Sequence, residues 1–335
     1  MREVLITGGA GYIGSTIASA CADDGLQPII LDDLSAGLRV FAERFPFYEG
    51  DYGDPALVRQ VLDEHPHLYA VVHCAASIVV PESMAEPLKY YDNNVAKVPR
   101  FLAELLSAGC HRVLFSSTAA MYGPSDTLVV TEESTLDPSS PYASSKHMVE
   151  QILADTAKAS ELRALALRYF NPVGADPAGR TGNQIERPTH VLGKMMEAHA
   201  AGTTFTVTGT EWPTRDGSGL RDYIHVWDLA RAHVAALNQF DEVFVGETCG
   251  PGYDVINLGT GRGTTVFELA EAFQMVTGTP LDVATAGPRP GDVAGACASG
   301  AKALRVLGWQ AEKTLSEGIA DALAWAAQLP QLARG

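Results

Sequence analysis

The sequence predicts an α/β protein whose parallel sheet is covered by helices on both faces. Its N-terminal half alternates short apolar runs, typical of buried strands, with longer segments that have helical spacing. A glycine-rich turn follows the first apolar run, and acidic residues follow the second. Since strands joined through helices pair in parallel by right-handed crossovers, we expect a doubly wound sheet.

The apolar runs of the first half are assigned to strands in chain order. They are short and rich in Val, Ile and Leu, and the third is the weakest of them. The predicted strands are 3–7, 28–31, 47–48, 70–74, 112–115 and 162–169. Apolar residues at helical spacing fill most of the gaps between strands and return near the C-terminus. The predicted helices are 13–24, 87–108, 141–158, 227–239, 266–276 and 315–327.

The pattern changes near Asn171, where Gly, Pro and Thr become frequent and their spacing becomes irregular. This predicts a smaller second region built around loops, which contributes a substrate lid to one edge of the sheet. We therefore divide the chain into a nucleotide-binding domain over 1–173 and a substrate-binding domain over 174–335. The segment around 222–240 is expected to return to the first domain.

The composition excludes several classes of partner. The net charge of −16 argues against nucleic acid or an anionic membrane, since both attract a basic surface. No apolar run approaches the roughly 20 residues that span a bilayer, and no signal peptide is visible. The five cysteines have no paired spacing, and no His, Cys and Asp cluster has metal-ligand spacing. We expect a cytoplasmic protein without a metal.

The first strand leads into a glycine turn with the spacing G-x-x-G-x-x-G, formed by Gly8, Gly11 and Gly14. Glycine permits the tight turn, the close approach of backbone to a pyrophosphate, and the contact between helix and strand. The helix that follows directs its N-terminal amides at the phosphates. The motif lies between a strand and a helix, as a Rossmann-type dinucleotide site requires.

Acidic residues after the next strands indicate which dinucleotide is bound. Asp32 stands eighteen positions after Gly14, and it or Asp33 would hydrogen-bond the adenosine ribose diol. A 2′-phosphate would meet these carboxylates, and no arginine follows before Arg39, so NAD is favoured over NADP. Asp51, after the third strand, is a candidate for the adenine edge, although a solvated turn residue explains it equally well.

The segment PYASSK places Tyr142 and Lys146 four residues apart, so their side chains share one helix face. A lysine ammonium and an oxidised nicotinamide would both favour the phenolate of this tyrosine, making it a general base. A pair of surface residues would have the same spacing. The strand ending in Ser116 and leading to Thr118 supports the catalytic interpretation, since ligands bind at the carboxyl ends of such strands.

Several segments in order carry a resemblance to a known family. They are GGAGYIG, YYDNNV, FSSTAAMYG, PYASSK, RYFNPVGA, GLRDYIHVWDLA and PRPGD. Together they resemble the UDP-glucose 4-epimerases of the extended short-chain dehydrogenase/reductase family, over residues 2 to about 325. The resemblance implies a Rossmann domain holding NAD, a C-terminal domain holding a UDP-sugar, and a homodimer joined through helices around 87–108 and 141–158.

The resemblance also implies a set of site residues. Tyr142 would be the base, Lys146 would hold the nicotinamide ribose, and Thr118 would occupy the catalytic hydroxyl position. The implied cofactor-binding residues are Gly8, Gly11, Tyr12, Ile13, Gly14, Asp32, Asp33, Asp51, Tyr52, Cys74, Ala75, Ala76, Asn93, Ser116, Tyr142, Lys146 and Tyr169. The implied substrate-binding residues are Thr118, Tyr142, Asn171, His190, Val191, Arg221, Arg289, Asp292 and Ala296.

The chain departs from the family pattern at two positions. Ile78 replaces a lysine that many members carry near the cofactor phosphates, so either the phosphate anchor is weaker or another group supplies it. Ala296 stands where some members carry a bulky tyrosine beside the sugar, and a register slip of one would place Cys297 there. A small residue leaves room at C2 of the sugar, so UDP-N-acetylhexosamines are expected as further substrates.

Two other functions compete with C4 epimerisation of UDP-glucose and UDP-galactose. The first is a sugar-nucleotide 4,6-dehydratase, a decarboxylase or another UDP-sugar-modifying enzyme of the same fold. Relatives of the dehydratase class carry an Asp-Glu pair directly after the catalytic threonine. Here Ala119 and Ala120 follow Thr118, so the chemistry should stop at oxidation and re-reduction. An NAD-sensing binding protein would usually lack an intact set of tyrosine, lysine and hydroxyl, and this chain retains all three.

Overall fold

The computed structural model describes residues 1–185, 188–245, 252–288 and 293–332. Its central sheet has seven strands in the order β12-β7-β5-β4-β1-β2-β3, all paired in parallel. The strands are β1 Glu3–Thr7, β2 Gln27–Asp32, β3 Phe47–Glu49, β4 Leu68–His73, β5 Arg112–Ser116, β7 Arg163–Tyr169 and β12 Tyr253–Leu258. The predicted α/β class and doubly wound parallel sheet are confirmed.

Thirteen α-helices occur in the described residues and flank the strands. They are α1 Tyr12–Asp23, α2 Arg39–Ala42, α3 Pro55–Glu64, α4 Val80–Ala85, α5 Pro87–Tyr91, α6 Val98–Ser107, α7 Pro141–Ala159, α8 Val191–Ala201, α9 Val226–Asn238, α10 Phe240–Val243, α11 Val266–Thr277, α12 Ala301–Leu307 and α13 Leu315–Leu332. Each of the six predicted strands and six predicted helices corresponds to one or more elements of the structure, with the segment 87–108 divided between α5, a π-helical segment and α6.

Each face of the sheet has its own hydrophobic core because successive strand residues point to opposite sides. On β1, Ile6 packs into the core shared with α1 and α9, whereas Leu5 packs into the core shared with α3, α6 and α7. All of these strand side chains are buried, which explains their continuous apolar sequence. The carboxyl ends of the strands are left open between the two helix layers.

The predicted single helix over 87–108 is wrong. The structure has α5 over Pro87–Tyr91, a π-helical segment over Asp92–Ala96, and then α6 over Val98–Ser107. Pro99 stands in the first turn of α6 and cannot donate a hydrogen bond to the carbonyl four residues earlier. The helix therefore restarts at this position.

Outside the central sheet, the described residues form three small sheets. They are β13-β10-β15-β6, β11-β8 and β14-β9. Their strands are β6 Val129–Val130, β8 Asn171–Val173, β9 Phe205–Thr208, β10 Leu220–Arg221, β11 Tyr223–His225, β13 Thr264–Thr265, β14 Val283–Ala286 and β15 Gly295–Ala298. A separate core lies between α8, α11 and α13.

The domain division after residue 173 stays a prediction. Two elements from beyond that point pack within the first region: α9 lies against α1, and β12 pairs with β7 at the sheet edge. The strand β12 was not predicted. Among the described helices, none combines the length and apolar character needed to cross a membrane.

Candidate active site

The glycine turn brings backbone segments unusually close together at the end of β1. Gly8 has a φ of +71°, and a Cβ at this position would lie 2.7 Å from the amide nitrogen of Ala75, after β4. A Cβ at Gly14 would lie 2.2 Å from the carbonyl oxygen of Gly8. These two glycines are therefore required by the packing of the protein itself.

Gly11 differs from its neighbours in the turn. A Cβ there would meet only the Gly8 oxygen, at 3.4 Å, and its backbone angles are ordinary for any residue. It caps the N-terminus of α1, and no side chain caps that end of the helix. The space beside Gly11 and the uncapped amides of α1 suit a phosphate group. The turn therefore fits the pyrophosphate of a dinucleotide.

Asp32 closes the turn from β2. Its carboxylate accepts hydrogen bonds from the amides of Ala10, at 2.9 Å, and Leu34, at 2.8 Å. Burial raises the pKa of Asp32, and the two amides oppose that shift. Asp33 is exposed and accepts a hydrogen bond from the amide of Ser35, so Asp32 is the carboxylate that faces the turn.

The predicted adenine-side residues are connected through a lysine that the sequence did not indicate. The Lys97 ammonium donates to Asp51, at 2.6 Å, and to the side-chain oxygen of Asn93, at 2.8 Å. Tyr52 is buried, and its hydroxyl donates to the backbone oxygen of Asn93. The side chain of Ile78 is 52% exposed and supplies no charge.

The other predicted cofactor residues lie at strand ends around this turn. Cys74, Ala75 and Ala76 directly follow β4, and all three are partly exposed. Tyr12 and Ile13 form the first positions of α1, where the Tyr12 hydroxyl donates to the Gly174 oxygen at 2.7 Å. The structure thus places these predicted residues at the carboxyl edge of the sheet.

The three predicted catalytic residues meet next to β5. Ser140 caps α7 by accepting the amide of Ala143, and Pro141 occupies the first helical turn, so Tyr142 and Lys146 start the helix on one face. The Thr118 hydroxyl lies close enough to the Tyr142 phenol to lower its pKa. Lys146 is 3% exposed and donates to the Ser116 carbonyl oxygen at 2.8 Å.

The electrostatics of this group are set first by burial. Burial raises the pKa of Tyr142, and the Thr118 hydroxyl opposes that shift. Burial lowers the pKa of Lys146 to about 8, although nearby Cys74 and Glu150 raise it. Lys146 is not among the groups that shift the Tyr142 pKa, and its ammonium is directed to Ser116, so the expected effect of this lysine on the phenolate stays a prediction.

Ser116 and Tyr169 lie at the ends of β5 and β7, beside these residues. The Ser116 hydroxyl is 3.1 Å from the Cys74 sulfur and 3.0 Å from Nε2 of His233. A hydrogen bond with Ser116 opposes the effect of burial, which raises the Tyr169 pKa well above its ordinary value. His233 is a contact that the sequence did not indicate.

The predicted substrate residues lie on the second region's strands and loops. Asn171 begins β8, and Arg221 on β10 pairs with Ala296 on β15. The Arg221 guanidinium donates to the carbonyl oxygens of Leu220, at 2.7 Å, and Ala294, at 3.2 Å, and no carboxylate pairs with it among the described residues. It can therefore accept an anionic partner.

The remaining predicted substrate residues lie at the start of α8 or outside the described residues. His190 caps α8, accepting the amide of Gly193 at 3.2 Å, and its Nε2 contacts Asn183. His190 therefore has a structural role as the N-cap of α8. Val191 is the first residue of this helix. Arg289 and Asp292 lie outside the described residues.

A buried ion pair beside the catalytic segment was missed by the sequence analysis. Arg168 donates to both carboxylate oxygens of Glu150, at 2.9 and 2.5 Å, and both side chains are at most 5% exposed. Glu150 lies two helical turns after Tyr142, a spacing that could have indicated the shared face. Its partner on β7 could not be read from the sequence.

The fold and site together define an enzyme class. A dinucleotide turn at the carboxyl edge of a parallel sheet adjoins a tyrosine, lysine and threonine that can exchange protons with a hydroxyl group. This arrangement is that of a nicotinamide-dependent enzyme of the short-chain dehydrogenase/reductase type. Residues 4–259 match the NAD dependent epimerase/dehydratase family. The chain belongs to this family.

Similar proteins cover the chain almost completely. It is 41% identical to the UDP-glucose 4-epimerase of Azospirillum brasilense over 98% of this chain and 93% of that protein. The UDP-glucose 4-epimerase from Stenotrophomonas maltophila, solved with NAD and formylated UDP-arabinopyranose, superposes with a TM-score of 0.93 at 34% identity, covering 99% of both chains. The UDP-Glc/GlcNAc 4-epimerase from Campylobacter jejuni gives 0.83 at 35% identity, covering 98% of this chain and 100% of that one.

Proposed function

We propose that this chain is an isomerase that interconverts UDP-glucose and UDP-galactose by NAD-dependent oxidation and reduction at C4. The observation that carries the proposal is the pairing of Tyr142 with Thr118 beside a buried Lys146, at the sheet edge where the glycine turn lies. Relatives at 41% and 34% identity over nearly the whole chain are UDP-glucose 4-epimerases, which identifies the sugar chemistry.

The residues present fit NAD. The glycine turn and the start of α1 would hold the pyrophosphate, Asp32 the adenosine ribose, and Lys146 the nicotinamide ribose. Bound NAD would supply reversible acceptance of a hydride from C4, together with a positive charge beside Tyr142. Since burial raises the Tyr142 pKa, this charge is what favours the phenolate.

The protein residues then perform the proton transfers. Tyr142 accepts the proton of the C4 hydroxyl as the sugar becomes a 4-keto intermediate. Thr118 aligns the Tyr142 oxygen with the C4 oxygen of the sugar. After the keto sugar presents its opposite face, Tyr142 returns the proton. Arg221, bound only to backbone carbonyls among the described residues, anchors the diphosphate while the sugar turns. We assign Arg289 and Asp292 to the same UDP site.

The test is product formation without added cofactor. Purified protein is incubated with UDP-galactose, and the products are separated by chromatography. UDP-glucose is the expected product, and Tyr142→Phe should form it at least about 10²-fold more slowly because the proton acceptor is lost. A 4-keto-6-deoxy product would instead establish a dehydratase, and no product even with added NAD would favour a binding protein.

We propose that the same site accepts UDP-N-acetylhexosamines. Ala296 pairs with Arg221 across β10 and β15, so its small side chain lies beside the proposed diphosphate anchor. Cys297 points the other way, toward the Leu128 oxygen. Ala296→Tyr should abolish turnover of UDP-N-acetylgalactosamine while sparing UDP-galactose. Equal loss with both substrates would contradict the proposal.

We also propose that the protein is a cytoplasmic homodimer. The outer surface near α4, α5 and α7 carries exposed apolar side chains, including Met84 at 62%, Leu88 at 80% and Met148 at 44% exposure. Exposed apolar side chains of neighbouring helices suit contact with a second copy. Sedimentation equilibrium should give twice the chain mass, and Leu88→Glu should shift the protein toward a monomer.

A further inference from the structure

The catalytic threonine sits in a short segment that is held from both ends. Ser117 precedes Thr118, and Tyr122 follows after a 3₁₀ turn over Ala119–Met121. Thr118 itself caps that turn, accepting the amide of Ala120 at 3.1 Å. Its hydroxyl can therefore face Tyr142 only if the segment keeps this conformation.

One end of the segment is fixed through Glu150. The Ser117 hydroxyl donates to the Glu150 carboxylate at 2.5 Å, and the Ser117 amide donates to the Leu167 oxygen at 2.9 Å. Glu150 lies on α7, on the face that also carries Tyr142 and Lys146. The bond to Glu150 therefore ties the strand end that precedes Thr118 directly to the catalytic helix.

The other end is fixed through Arg168. Its guanidinium donates to the Tyr122 hydroxyl at 3.0 Å and lies over the Tyr122 ring, 5.1 Å from its centre. The Tyr122 hydroxyl donates in turn to the side-chain oxygen of Asn257 at 2.7 Å. Since Arg168 also holds Glu150 by two hydrogen bonds, one guanidinium connects both ends of the segment.

We infer that the Glu150–Arg168 pair is a positioning device, which sets Thr118 against Tyr142 by holding Ser117 and Tyr122. The inference rests on the proposed function, since it assigns the pair to the proton-transfer geometry of that reaction. The pair touches neither the Tyr142 hydroxyl nor Thr118, so its residues act through the segment. Reactions of this kind lose up to about a hundredfold in rate when a reacting group is displaced by about 1 Å.

The test releases each end of the segment without leaving a buried charge unpaired. Ser117→Ala and Tyr122→Phe each remove one hydroxyl and leave the Glu150–Arg168 pair intact. Each is expected to lower kcat by about tenfold to a hundredfold with little change in KM or in NAD content. Ser160→Ala and Tyr48→Phe serve as matched controls, since they remove hydrogen-bonded hydroxyls elsewhere and should leave kcat unchanged.

The decisive readout is a double-mutant cycle with Thr118→Val. If the pair acts through Thr118, adding Ser117→Ala to Thr118→Val should cause no further loss of kcat. Losses that multiply in the double variant, or single variants within twofold of the unaltered protein, would overturn the inference. An unaltered protein without epimerase activity would instead overturn the proposed function, so the two failures are distinguishable.

Discussion

Two glycines of the turn between β1 and α1 should respond differently to the same substitution. In Gly14→Ala the new Cβ would lie 2.2 Å from the Gly8 oxygen and 2.9 Å from the Gly9 Cα, so backbone must shift. Overpacking of this kind costs about 1–3 kcal/mol of the free energy of unfolding. In Gly11→Ala the nearest atom is 3.4 Å away. Alanine restricts the unfolded chain, which adds about 0.4–1 kcal/mol to the free energy of unfolding, and it is a poorer helix N-cap than glycine. These two effects should roughly cancel in Gly11→Ala.

The effect on the cofactor should separate the two variants further. A methyl group at Gly11 would occupy the space that we assign to the pyrophosphate, so Gly11→Ala should bind NAD poorly while folding normally. Urea unfolding should be measured on protein stripped of NAD, because a bound ligand would add its own stabilisation. NAD retained after purification is released with acid and quantified by chromatography.

A third glycine supplies the control. Gly300 has ordinary backbone angles and lies outside the predicted cofactor residues, and a Cβ there would lie 3.8 Å from the Gly259 oxygen, an ordinary contact. Gly300→Ala should therefore leave NAD content unchanged. If Gly11→Ala retained as much NAD as the unaltered protein, the assignment of the space beside Gly11 to the pyrophosphate would be refuted. Gly14→Ala as stable as Gly300→Ala would refute the argument from crowding.

Two further predictions concern the cations of the site. Lys146→Met should stabilise NAD-free protein by roughly 3 kcal/mol at pH 7 while abolishing activity, because folding lowers the pKa of this lysine from about 10.5 to about 8. Between pH 8 and pH 10.5 the unfolded chain binds more protons than the folded protein, so the unaltered protein gains stability as the pH rises through this range. Urea titrations should therefore show the stability difference between Lys146→Met and the unaltered protein shrinking from pH 8 to pH 10.5. Arg221→Met should raise KM for UDP-galactose about tenfold or more with little change in the stability of the NAD-free protein, since its guanidinium has no described acidic partner. An unchanged KM would remove Arg221 from the diphosphate site.

The strands of the nucleotide-binding half were predictable because burial on both faces makes them continuous apolar runs. The bounds of β1 agree residue for residue, and β5 differs by one residue. The strand β12 was missed because Tyr253–Leu258 mixes polar with apolar residues and lies in a stretch rich in glycine and proline. Only its pairing with β7 makes it a strand. The interruption of the helix over 87–108 had a visible cause in Pro99.

The candidate site was predictable only where local spacing determines geometry. Tyr142 and Lys146 share a helix face because they are four residues apart. The partner of Glu150 is Arg168 on β7, and that contact depends on the packing of α7 against the sheet. The direction of the Lys146 ammonium toward Ser116 depends on the same packing. Sequence spacing therefore identified the candidate catalytic groups but not the burial and contacts that set their pKa values.

The buried ionisable groups of the site are of two kinds: those whose charge is stabilised by a hydrogen-bonded partner of opposite charge, and those that have no such partner. Glu150 and Arg168 are buried as an ion pair, and the carboxylate of Glu150 and the hydroxyl of Tyr122 both raise the Arg168 pKa. Tyr142 and Lys146 are buried with no carboxylate hydrogen-bonded to either among the described residues, and burial shifts both pKa values in the direction that favours the neutral form. A bound nicotinamide cation would stabilise the phenolate, so we expect cofactor binding to lower the Tyr142 pKa. The two pairs therefore have complementary roles in the proposed mechanism. Glu150 and Arg168 fix the position of Thr118, and Tyr142 and Lys146 become active only when the cofactor is bound.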